Sequence, residues 1–229
     1  MSRAVRTGWE DGTQAPTWKK TRALSGGHLY HHIHELDIIQ RLMGSAETAT
    51  MIGGDAPQAG PRAGDEDAIL LVSLTFAGHR YATAEWGSVF RHPQHVISVQ
   101  GTKGHVLIDM HDVGVTVHVG DRVERYPLHG ALGTDAERTR TNMAPLSGGG
   151  VTYGDSTQRP PAWLRAAMRN ELDYFTKLVT SGIVDPALAT LTDGFAARAS
   201  IATADALTRS LQEKRTVSVG EITSSAGLI

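Results

Sequence analysis

Four of the chain's eleven histidines, His28, His31, His32 and His34, fall within seven positions. On a helix, Tyr30, His34, Asp37 and Arg41 step by four, three and four, so they line one polar side, and His31 sits about one turn from His34 on its border. An imidazole suits general acid/base work near neutral pH. In that chemistry His34 handles the proton of a hydroxyl, Asp37 orients it or binds a sugar hydroxyl, and Tyr30 donates a hydrogen bond but is no easy base. The same pattern also fits a capped surface helix with hydrogen-bonded histidines.

Metal chemistry is a second use of the same residues. His31 and His34 lie three apart on one helix and can converge on an ion, with a third ligand from His92 or His95 of the RHPQH segment, or from Asp37 or Glu35. His₃ or His₂-carboxylate with an open position suits Zn²⁺, Mn²⁺ or Fe²⁺, and could polarise a carbonyl for enolisation, elimination or hydrolysis. His28 and His32 fall on the apolar side, where packing is the commoner role.

The helix that must carry these residues runs within Ser25–Gly44. Leu29, Leu36 and Met43 recur every seven residues, Ile33 and Ile39 flank them, and this stripe should face a core. Gly26 and Gly27 precede it, and Gly44 serves as its C-cap. Ahead of it, residues 1–16 read as an arm, disordered over Met1–Thr13, with Trp18 ordered because a large aromatic needs a place to pack. A single domain is expected over 17–220, and a frayed tail over 221–229.

Behind the helix the texture is β. Thr48–Ile52 reads as a short strand, Ala68–Phe76 and Arg80–Phe90 as a hairpin, and His95–Val99 and His105–Asp109 as strands around Gly101-Thr102-Lys103-Gly104. Val113–Val119 and Arg122–Pro127 form another hairpin. Residues 129–160 show no period and read as a functional or mobile loop carrying Arg138, Arg140, Asn142 and Tyr153. Trp163–Thr180 and Gly194–Leu211 have helical spacing, and Thr216–Val219 reads as a closing strand. The order gives an α+β fold, an open and mostly antiparallel sheet of about six strands with helices on one face. The run AILLVSLTF at 68–76 is apolar on both sides, which predicts a homo-oligomer through the sheet face.

Composition narrows the class. A net charge of −2 gives no field that would favour nucleic acid or an anionic membrane. The absence of cysteine excludes disulfides and thiolate metal sites. No apolar run approaches the roughly 18 residues of a membrane span, and the N-terminus has no apolar signal core, so a soluble cytoplasmic protein is expected.

The run Gly26-Gly27 through His34 and Asp37, followed by an apolar stretch and Gly44, resembles the catalytic helix of the glucose–fructose oxidoreductase / inositol dehydrogenase (Gfo/Idh/MocA) family. His34 matches the family's active-site histidine, and Asp37 the acid three residues on. Tyr30 stands where the family usually has Asp, and His32 where it usually has Gly. The G-T-K-G turn at 101–104 and the D-G-x-x-A helix from Asp193 extend the resemblance over about 17–219. It implies the substrate domain of an oxidoreductase, binding a sugar or cyclitol-type polyol at His34, Asp37 and Tyr30. Arg41, Arg91, Trp86, Arg138 and Arg140 are expected as further substrate contacts. Neither the G-x-G-x-x-G loop nor the E-K-P motif of the family's Rossmann domain is present. NAD(P) is therefore expected only through a separate Rossmann domain or partner protein. The alternatives are a metal-dependent lyase, isomerase or hydrolase on a sugar-derived substrate, and a non-catalytic oligomerisation or carbohydrate-binding module.

Overall fold

The computed structural model describes residues 1–9, 18, 21–27, 33–55, 64–110, 114–128, 133–137 and 162–225. The chain divides into two compact units, Met1–Val99 with Asp193–Ile229, and Gln100–Thr192.

The first unit opens with β1 (Ser2–Trp9), α1 (Arg22–Ser25), α2 (Ile33–Met43), β2 (Ala46–Gly54), β3 (Ile69–Phe76), β4 (Arg80–Gly87) and β5 (Val89–Gln100). The second holds an antiparallel meander of β6 (His105–Asp109), β7 (Val115–Val119) and β8 (Arg122–Tyr126), then α3 (Ala162–Ser181), a 3₁₀ turn at Pro186–Leu188 and α4 (Ala189–Thr192). The chain returns to the first unit for α5 (Phe195–Glu213), β9 (Val217–Ser218) and α6 (Val219–Ser225). The fold is α+β with an open, mostly antiparallel sheet, as the element order predicts. Most of the 129–160 loop lies outside the described residues. No described helix is long and apolar enough to cross a membrane.

Strand order in the first unit is β5-β1-β4-β3-β2-β9, and only β1 with β4 is parallel. The stretch expected to be a disordered arm is thus a central strand. Its eight residues hold few large apolar side chains and no clean alternation, so nothing local marks it. Two ladders enclose it instead, and Ser2, Ala4 and Val5 are buried between them. Trp18, expected to pack, is 59% exposed. The expected frayed tail is in part α6, tied back by Arg215 Nη2 on Glu221 Oε2 at 2.8 Å and by the Ser218 N–H on Glu221 Oε1 at 3.1 Å.

Register sets what faces the helices. Leu70, Trp86, Arg6 and His95 form one cross-strand row, and Val72, Ala84, Ala4 and Ile97 the next. Helix α2 packs over β1 and β4, and α5 packs over β2 and against α2. The core lies between them, where Leu36, Ile39, Leu70, Leu74, Trp86, Ile97 and Leu207 are all fully enclosed. Each such side chain contributes about 1.5–3 kcal/mol by burial. Strand β3 alternates: Leu70, Val72, Leu74 and Phe76 point inward, while Leu71 is 40% exposed and Ser73 is also on the outside. Ile52 and Tyr81 are exposed as well. Gly53 shows how close two strands come. A Cβ there would lie 2.1 Å from the Ile69 carbonyl oxygen, and its φ of +152° already disfavours other residues.

Candidate functional site

Helix α2 is built by its buried side, Glu35, Leu36, Ile39, Gln40 and Met43. It ends at Gly44, whose φ is +86° and whose N–H donates to the Gln40 carbonyl at 2.7 Å. Gly26 belongs to the preceding helix. In left-handed geometry, with its N–H on the Arg22 carbonyl at 2.9 Å, it closes α1.

His34 is exposed in the first turn of α2. One turn on, Asp37 is half-buried and accepts a hydrogen bond from Ser200 Oγ at 3.2 Å. Ser200 comes from α5 and is itself held, because Gln40 Nε2 donates to its Oγ at 3.4 Å. Gln40 Oε1 accepts from Thr203 Oγ1 at 3.0 Å and from the Ala46 N–H at 3.2 Å. A directed chain of donors thus runs through the α2–α5 contact and fixes one carboxylate oxygen of Asp37. Its donors and acceptors are satisfied in sequence, which is what lets polar groups stay buried there.

The second cluster meets the helix from the sheet side. Glu35, with its side chain 3% exposed, accepts on Oε1 from Arg6 Nη1 at 3.3 Å and pairs with His95 Nε2 at 3.1 Å. Arg6 and His95 are register partners on β1 and β5, which explains how both reach one oxygen. The other oxygen, Oε2, has no hydrogen bond among the described residues. Burial alone would push the Glu35 carboxyl up; the His95 hydrogen bond and the Arg6 charge outweigh it, and the group lies below the usual carboxylate value.

A folded value below the unfolded one means that the stabilisation is complete above the ordinary carboxyl range. It is lost as pH falls through the depressed folded value. Glu35→Gln is therefore expected to lower stability by about 1–3 kcal/mol near neutral pH, and the gap to wild type should close as pH drops below about 4. Urea midpoints over a pH series measure this, and a gap that persists unchanged to about pH 3 would contradict an ionised Glu35.

Of the residues expected at the site, Tyr30, His31, Arg138 and Arg140 lie outside the described residues, as do His28 and His32. Arg41, in the last turn of α2, and Arg91 and His92, on β5, are exposed. Trp86, expected to touch a ligand, is 0% exposed and lies in the core beneath α2, because its place on β4 puts it on the inner face. Among the described residues no group of three His, Asp or Glu side chains could hold a metal ion. His95, one of the expected ligands, is hydrogen-bonded to Glu35. Sequence reasoning missed Arg6, Ser200 and Gln40 altogether. The one local signal was the polar Gln40 interrupting the apolar side of α2.

Residues 2–219 match a family model described as the oxidoreductase family, C-terminal alpha/beta domain (GFO_IDH_MocA_C). The chain is 45% identical over 220 residues to a 2,7-anhydro-N-acetylneuraminate hydratase of Mediterraneibacter gnavus, covering 96% of this chain and 59% of that protein. It is 38% identical over 218 residues to a 2,7-anhydro-N-acetylneuraminate hydratase of Escherichia coli, covering 95% of this chain and again 59% of the relative. The chain thus spans less than two thirds of the length of these curated relatives. Among solved structures, a levoglucosan dehydrogenase in complex with NADH and levoglucosan superposes with a TM-score of 0.64 at 18% identity, covering 95% of this chain and 58% of that one. An aldose–aldose oxidoreductase from Caulobacter crescentus complexed with glycerol gives 0.62 at 19% identity, covering 95% and 54%. At such identities these two likenesses speak for the fold alone.

Proposed function

Since the chain belongs to the Gfo/Idh/MocA oxidoreductase family as its C-terminal α/β domain, we propose that it is the substrate-side domain of a hydratase acting on 2,7-anhydro-N-acetylneuraminate or a close anhydro sugar acid. The observation that carries this reading is the 45% identity to such a hydratase over 96% of the chain.

Hydration of an anhydro bridge is redox-neutral in sum. One carbon–oxygen bond of the bridge breaks, its oxygen gains a proton, and the carbon gains the hydroxyl of water. Such chemistry needs a proton carrier at the surface of a rigid element and a hydrogen-bonding group fixed beside it. His34 is exposed on α2, and Asp37, one turn away, is pinned by Ser200. His34 would carry the proton to or from the bridging oxygen, and the other oxygen of Asp37 would accept a substrate hydroxyl.

The family also implies a nicotinamide. Among the described residues no glycine loop leads from a strand into a helix N-terminus, the arrangement that cradles a dinucleotide pyrophosphate. A nicotinamide would be held by a separate Rossmann domain, in the same polypeptide or another.

The test is calorimetric titration of the chain with 2,7-anhydro-N-acetylneuraminate, N-acetylneuraminate and myo-inositol, followed by NMR of the first ligand with and without NAD⁺. The anhydro acid is expected to bind at least about tenfold more tightly than the inositol. Equal or better binding of myo-inositol would return the substrate to the cyclitol class.

A further inference from the structure

The proposed substrate is an acid, and a carboxylate in a binding site needs a cationic partner. We infer that Arg6 is that partner, its guanidinium receiving the substrate carboxylate while Glu35 holds it from behind. This rests on the function proposed above and names the part of the ligand that the site selects.

The geometry of the pair points outward. The Arg6 side chain is 39% exposed and that of Glu35 is 3% exposed, so one end of the guanidinium is tied to a buried anion and the remainder faces solvent. Only Nη1 is engaged, on Glu35 Oε1 at 3.3 Å, and among the described residues the other guanidinium donors make no hydrogen bond. A planar guanidinium with most of its fork unused suits a carboxylate, and a tethered one has already lost much of its rotamer freedom.

The location fits as well. Arg6 lies on β1 between its partners Trp86 of β4 and His95 of β5, on the side of the sheet that α2 covers. Its tether, Glu35, directly follows His34 in the first turn of that helix. The two residues leave that turn on different sides, Glu35 buried towards the sheet and His34 exposed. The other arginine of β1 is differently placed: Arg3 lies near Glu85 at 3.7 Å, and its odd position puts it on the opposite side of the strand from Arg6. Arg41 sits seven residues beyond His34, about 10 Å along the helix axis. Glu35 repels an incoming carboxylate, so without Arg6 the same spot would reject the acid. Arg6 thus sets the sign of the selection and not only its strength.

The experiment compares 2,7-anhydro-N-acetylneuraminate with its methyl ester, by calorimetric titration into the 229-residue chain and into Arg6→Gln. Wild type is expected to bind the acid about 10- to 100-fold more tightly than the ester. Arg6→Gln should bring the two within about threefold while leaving the ester's affinity in place. A preference that survives in Arg6→Gln overturns the inference, since another cation then holds the carboxylate. Equal binding of acid and ester to wild type also overturns it, and leaves the proposed function standing. Binding of neither ligand to wild type removes the proposed function, and this inference with it. Arg6→Gln leaves Glu35 buried with His95 as its remaining partner. Where that variant does not fold, Arg6→Gln/Glu35→Gln removes both charges together and is expected to show the same lost preference.

Discussion

His34→Ala is expected to lower turnover of the anhydro sugar acid by about 10²- to 10⁴-fold while changing stability by no more than about 0.5 kcal/mol. The two halves of that expectation have separate causes. His34 is exposed on the outer side of α2, whose hold on the sheet comes from Leu36, Ile39 and Met43, so removing an imidazole there opens no cavity. The loss in rate follows if the imidazole carries the proton for the bridging oxygen, since removing a positioned general acid/base costs about that much. NMR of ligand conversion and a thermal melt on the same sample check both halves. Full turnover in His34→Ala would remove the residue from the chemistry. A large fall in melting temperature would show that the helix depends on it for packing.

Trp86→Ala is expected to do the reverse. A Trp with 0% exposure, enclosed under α2 beside Leu70 and Arg6, leaves a large cavity when cut back to Ala. The loss should be about 3–5 kcal/mol, a substantial share of the roughly 5–15 kcal/mol that holds a typical domain together. Trp86→Phe keeps most of the volume and should lose much less. Denaturant midpoints provide the measurement, and calorimetry on Trp86→Phe provides the contrast. A ligand-contacting Trp would lose affinity in that variant with little change in midpoint, whereas a core Trp should keep its affinity. The sequence alone favoured the first role, because an aromatic in an alternating strand looks the same from either face. Which face is inside depends on the partner strands and on where the helices lie.

That difference separates what sequence alone determined from what the tertiary structure decided. The helix at Ile33–Met43, the turn between Ile69–Phe76 and Arg80–Gly87, the meander at 105–126 and the Ala-rich helix Phe195–Glu213 were all legible. Each is announced by a pattern within its own length: apolar spacing, a Gly turn, a cap. The exposed polar side of α2 with His34 and Asp37 was legible for the same reason. Strand β1 was not, because eight residues with two arginines become a strand only when β4 and β5 present free edges to them. Nor were the contacts that hold the site. Arg6 and Glu35 are 29 residues apart, His95 and Glu35 are 60 apart, and Ser200 and Asp37 are 163 apart. No local period encodes such pairs. Sheet register brings Arg6 level with His95, the packing of α5 on α2 brings Ser200 to Asp37, and both depend on burying the apolar faces that the local patterns had already formed.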